Sequence, residues 1–83
     1  MIEGLIEGRI VHYVLPDGIR KGEHRPAIVV RVWDTTQGTG MSNLQVFIDG
    51  NNDQEQQGSA RWVGSVHYDA NKAPGTWHWI EKA

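Results

Sequence analysis

No stretch of this chain repeats its apolar residues at helical spacing over the length a helix needs. Instead, five short runs rich in β-branched and aromatic residues alternate with connections that carry Gly, Pro and Asp. That alternation points to an all-β fold, and 83 residues leave room for one domain. Five strands in so short a chain predict a small barrel or rolled sheet, SH3-like or OB-like. The long first connection and the very short last strand favour the SH3-like five-stranded form.

The first strand is expected over Arg9–Leu15, closed by the turn Pro16-Asp17-Gly18, where Pro presets φ and Gly permits positive φ. Residues Ala27–Trp33 give the strongest strand signal. Ile28, Val30 and Val32 are expected on one face, and Ala27, Val29, Arg31 and Trp33 on the other. Since both faces are largely apolar, this reads as a central strand covered on both sides. In Asn43–Ile48 the expected inward residues are Leu44, Val46 and Ile48, with Gln45 and Phe47 outward. Ala60–Tyr68 forms a fourth strand, with Gly64 marking a bulge or close approach. Thr76–Ile80 forms the fifth. Residues 1–8 read as a flexible lead and 50–59 as a mobile loop, because Asn51–Gly58 contains no apolar side chain to offset its ordering entropy. Ile6-Glu7-Gly8-Arg9 matches the cleavage tetrapeptide of factor Xa used in expression vectors, which would take residues 1–9 out of the fold, but Arg9 runs directly into the first strand, which favours the native reading.

A domain this small has a marginal core and usually needs a disulfide, a metal or self-association. The chain has no cysteine, so disulfides and thiolate zinc sites are excluded, and a homo-oligomer is the expected compensation. A net charge of −2 argues against duplex nucleic acid, whose modules carry a basic excess. No apolar run reaches membrane-spanning length and no secretory leader is visible, so a cytoplasmic protein is expected.

Catalytic patterns are absent. There is no nucleophile elbow, no phosphate loop and no cysteine, and the carboxylates sit at strand ends, where solvated carboxylates normally lie. The four histidines, at 12, 24, 67 and 78, form no i,i+2 or i,i+4 pair, so the spacing along the chain predicts neither a metal site nor a cofactor. The reading is a binding protein, not an enzyme. Four tryptophans carry it, of which Trp77 and Trp79 share one face of the last strand. Either they plug the core, or they form a shelf on which a planar ring stacks; one buried and one partly open indole is the expected compromise. His78 faces the opposite way. Arg25, Arg31 and Arg61 could supply planar forks for phosphate, Asn43 could read a base edge, and Tyr68 could line the shelf.

The segments Gly8-Arg9-Ile10-Val11-His12-Tyr13, Arg25-Pro26-Ala27-Ile28-Val29 and Asn43-Leu44-Gln45-Val46-Phe47 resemble small, functionally uncharacterised tailed-phage proteins. The closing Gly75-Thr76-Trp77-His78-Trp79 is the most specific part, although Ile80 stands where such proteins often have Pro. The resemblance covers about three-quarters of the chain and implies a phage origin. With that origin, the aromatic and arginine residues lead to an oligomeric anti-defence sponge that sequesters a nucleotide signal, such as a cyclic nucleotide or an ADP-ribose derivative. The alternative is a protein-interaction module, acting as an inhibitor of a host defence protein or as a minor virion or assembly component.

Overall fold

The computed structural model describes residues 2–33, 38–50, 52–53 and 60–81. Its strands are β1 (Ile10–Val14), β2 (His24–Val32), β3 (Ser42–Phe47), β4 (Ala60–Val66) and β5 (Trp77–His78). They form one antiparallel sheet in the order β4-β3-β2-β1-β5. Beyond β4 the chain bridges in parallel from Tyr68 to Trp77, bringing the two ends of the sheet together. The protein is therefore all-β, a rolled five-stranded sheet, and no helix among the described residues is long and apolar enough to cross a membrane.

One face of the roll is the core. Val11 and Tyr13 of β1, Ala27 and Val29 of β2, Leu44 and Val46 of β3, Val66 and Trp77 are all buried there, with Ile48 and Leu5 at its margins. The inward set of β3 follows the sequence expectation, and Phe47 is exposed as expected.

The β2 expectation needs correction. β2 lies at the centre of the sheet, but only one of its faces is covered: Val29 is buried, while Val30 is 48% exposed. Between Val29 and Arg31 the register slips by one residue, so Arg31 stands opposite Asn43 and Val32 opposite Ser42. That bulge switches the face parity, which turns Val32 toward the core and Arg31 away from it. Strict alternation would have placed them the other way round.

A second bulge confirms the reading of Gly64. Ser42 opposes Val66 while Leu44 opposes Val63, which leaves an extra residue on β4. The Trp62 ring lies so close over Gly64 that a Cβ there would stand 2.7 Å from it. Ser65 takes a positive φ of 55° at the bulge, and its N–H donates to Asn43 Oδ1.

The N-terminal lead is part of the structure. Leu5 is buried, Gly8 N–H donates to the Val29 carbonyl, Val29 N–H donates to the Arg9 carbonyl, and Glu7 Oε2 accepts from Val32 N–H. Of the polar stretch 51–58, only Asn52 and Asp53 are among the described residues, so the mobile-loop expectation otherwise lies outside them.

Candidate metal centre

The β1–β5 register places His12 directly opposite His78, and the β1–β2 register places His24 opposite Val14, two residues from His12. Directly paired residues share a face, so alternation puts all three histidines on the face away from Val11, Tyr13 and Trp77. His12 and His24 are partly exposed, whereas His78 is only 3% exposed. His78 meets His24 and His12 in T-shaped contacts, with centroids 4.5 and 5.7 Å apart, and His12 and His24 are tilted at 5.9 Å, with all planes inclined at 56–88°. None of these pairs is stacked flat.

All three rings aim one nitrogen at a single oxygen. Glu81 Oε1 lies 2.9 Å from His12 Nδ1, 3.1 Å from His24 Nδ1 and 2.5 Å from His78 Nε2. The other carboxylate oxygen, Oε2, accepts from Lys72 Nζ at 3.3 Å. Lys72 reaches it from a tight turn in which its own backbone takes a positive φ of 62°. Asp69 holds that turn: its Oδ1 accepts from Asn71 N–H, its Oδ2 from Ala73 N–H and its carbonyl from Lys72 N–H.

The electrostatics follow from these contacts. Hydrogen bonds from His12 and then His78, supported by Lys72 and His24, hold the Glu81 carboxyl well below the usual carboxylate range. Burial pushes His78 below the usual histidine value, against the opposing pull of Glu81. That leaves its imidazole neutral at pH 7, which is the form a metal ligand requires. The remaining nitrogen of His78, Nδ1, is buried and has no hydrogen-bond partner among the described residues, so packing fixes this ring.

Three imidazoles and one carboxylate make a donor set suited to a borderline divalent ion, with zinc the natural occupant. The four ligand atoms already lie within 4.8 Å of one another. Zinc–nitrogen bonds are about 2.0–2.1 Å, so the imidazoles would have to draw together around the ion.

The residues singled out from the sequence do not form one site but fall into separate groups. Trp77 is fully buried, its Nε1–H donates to the Gly40 carbonyl at 2.8 Å, and it packs against Tyr68. It therefore offers no open face for a ligand ring, which corrects the idea of a paired shelf. Trp79 is half-buried, edge-on to Trp77, with the Arg9 guanidinium 5.7 Å above its ring. One sealed and one partly open indole is the compromise the sequence suggested. Arg25 is bound to Asp53 and Glu23, and Arg61 hydrogen-bonds the Tyr13 phenol. Arg31 lies 3.8 Å over the Trp33 ring, whose Nε1–H donates to Asn43 Oδ1. Of the eight residues named, only His78 belongs to the convergent cluster.

Sequence reasoning left out His12, His24 and Glu81. The face of His12 could be read from alternation, since Val11 and Tyr13 on either side of it point inward, but His24 stands between Glu23 and Arg25 and gives no such signal. What joins them is the pairing of β1 with both β2 and β5, which spacing along the chain does not express. Comparisons with protein-family models, with curated proteins and with solved structures return no match.

Proposed function

We propose that this chain is a small binding protein that captures one divalent transition-metal ion, zinc above all, through His12, His24, His78 and Glu81. One observation carries the reading: three imidazole nitrogens from three strands point at one carboxylate oxygen. A lone surface histidine pair would have no such focus. The role is also physically apt, because a chain of 83 residues without cysteine gains from a metal that ties β1, β2, β5 and the segment after β5 together. The test is a zinc titration by calorimetry with metal analysis of the protein afterwards. One ion per chain, lost when His12 and His24 are both replaced by Ala, supports the reading; no uptake by the folded chain refutes it.

A second reading has its own observation. Arg31, Trp33 and Asn43 meet on the outer face of the sheet, where Trp33 is 46% exposed. An indole edge fixed by an amide, with a guanidinium over one face of the ring, supports stacking of a nucleotide ring on the other face and contact with its phosphate. On this reading the chain is a phage-type sponge for a cyclic nucleotide or an ADP-ribose derivative. A thermal-shift screen with those compounds tests it, and recovery of unaltered ligand after heating separates sequestration from hydrolysis.

A further inference from the structure

β2 is apolar on both faces, yet the chain's own core covers only one of them. The uncovered face continues across the sheet. Ile10 of β1 pairs with Ile28 of β2, Ile28 with Gln45 of β3, and Gln45 with Trp62 of β4. Directly paired residues share a face, so these four form one row across four strands, on the side away from the core. Phe47, two residues on from Gln45, and Val30, the extra residue of the β2 bulge, widen it. Ile10, Val30, Phe47 and Trp62 are each 42–59% exposed. The Trp62 ring lies over Gly64 instead of standing out from the sheet, which keeps the face level. The row contains no Asp, Glu, Lys or Arg, and Arg31 at its margin is stacked on Trp33.

We propose that two copies of this chain pack sheet against sheet through this face, burying Ile10, Ile28, Val30, Phe47 and Trp62 between them. Size is the first argument. The exposed side chains leave on the order of 500 Å² of apolar surface in one patch, near the top of the range for monomers. A stable dimer takes about 800 Å² from each partner, and homodimer interfaces are about 65% apolar, so the patch supplies the apolar area such a contact uses. Composition is the second. Aromatic residues with few charges mark the centre of a protein interface, not its rim. Charge also selects the partner: a neutral face meets its own copy without like-charge repulsion and offers a foreign surface no charge to recognise. In the dimer β2 is covered on both sides, as its sequence demands, and a chain with a marginal core gains a second apolar layer.

The inference does not depend on the metal-binding reading, and sedimentation of the full chain in excess chelator, across the micromolar range, keeps the two apart. The expected mass is that of two chains. Trp62→Glu and Ile10→Glu each place a carboxylate on the face and should weaken the dimer at least tenfold. Circular dichroism checks that each variant is folded. Ile19→Glu replaces an isoleucine no less exposed, in the connection between β1 and β2, and should leave the dimer unchanged. Should Trp62→Glu fail to fold, Ile10→Glu and Val30→Glu decide. A monomer at every concentration overturns the inference, as does a dimer that forms only when zinc is present. So does a dimer that survives Ile10→Glu and Val30→Glu in folded proteins, since its contact must then lie elsewhere.

Discussion

His12 of β1 and His78 of β5 stand directly opposite each other, and both direct a ring nitrogen at the same oxygen of Glu81. The pairing makes the two imidazoles a preformed half of the proposed metal site. His78 is immobilised by burial, so metal entry orders mainly His12 and His24. Replacing His12 by Ala should therefore lower zinc affinity by well over tenfold, since even the outer partners of metal ligands are worth about 10–100-fold. His67 is exposed and off the site. His67→Ala serves as the reference, and equal zinc affinity for the two variants in calorimetry would remove the basis for the site.

Zinc should also stabilise the fold. A ligand that binds only the native state at a hundred times its Kd adds about 2.7 kcal/mol. For a domain of this size that raises Tm by roughly 11–22 °C. The rise should disappear on adding a chelator and should be much smaller in the double variant lacking His12 and His24. Scanning calorimetry with and without zinc measures it directly.

The strands were largely legible because their signals are local. Leu44, Val46 and Ile48 alternate with Gln45 and Phe47, and that alternation survives intact in β3. It failed in β2, where Arg31 and Val32 exchange faces, since a bulge is a property of the pair of strands and β2 carries no glycine to announce it. Gly64 announced the bulge of β4 because Trp62 needs the space of the missing side chain. The metal centre lay beyond local signals altogether. His12 and His24 become neighbours only through the β1–β2 register, and His78 joins them only because β5 returns to the far side of β1. The tryptophans drew attention by number, yet Trp77 is where the roll closes and is consumed by the core.

Gly40 should be the least replaceable glycine. It has a φ of +67°, and a Cβ there would lie 2.7 Å from Ile2 Cδ1, 2.8 Å from Tyr68 Cβ and 2.9 Å from Trp77 Cζ2. Its carbonyl also accepts from Trp77 Nε1–H and Ser42 Oγ–H. Gly22 has a φ of +89° but open space around it. Gly22→Ala should cost only the backbone term of about 1–2 kcal/mol. Gly40→Ala should cost a further 1–3 kcal/mol or so from overpacking. Urea denaturation of both variants compares them, and equal losses would mean that the crowding around Gly40 relaxes freely.

Stability at acid pH should depend on Asp53. Its carboxylate accepts from Arg25 Nε–H at 2.8 Å and from Asp49 N–H at 2.8 Å, and its side chain is 4% exposed. Chiefly through the Arg25 hydrogen bonds, its carboxyl is held below the usual aspartate range. A group depressed in the native state stabilises it above the unfolded value of about 3.9 and loses that contribution as pH falls through the native value. The unaltered chain should therefore melt higher than Asp53→Asn at pH 7, and the two Tm curves should converge below about pH 4. A gap that persists unchanged into strong acid would show that the pair contributes by packing and not by charge.

The bond after Arg9 offers a reporter of the whole fold. Ile6-Glu7-Gly8-Arg9 matches the factor Xa tetrapeptide, but in the native protein Gly8 and Arg9 exchange backbone hydrogen bonds with Val29 at 2.8 Å each, and the Arg9 guanidinium lies over Trp79. A protease must bind this backbone extended and unpaired, so cleavage requires release from β2. Leu5 is in the core and Glu7 caps Val32 N–H, so that release also uncovers core and is expected to track global unfolding. Under fast reclosing the cleavage rate then follows the open population, rising about tenfold for each 1.4 kcal/mol of lost stability. Gly40→Ala should be cut faster than the unaltered chain in proportion to its urea-measured loss, and saturating zinc should slow both. Rapid cutting in native buffer, insensitive to zinc and to Gly40→Ala, would show that the first nine residues detach from an otherwise folded domain.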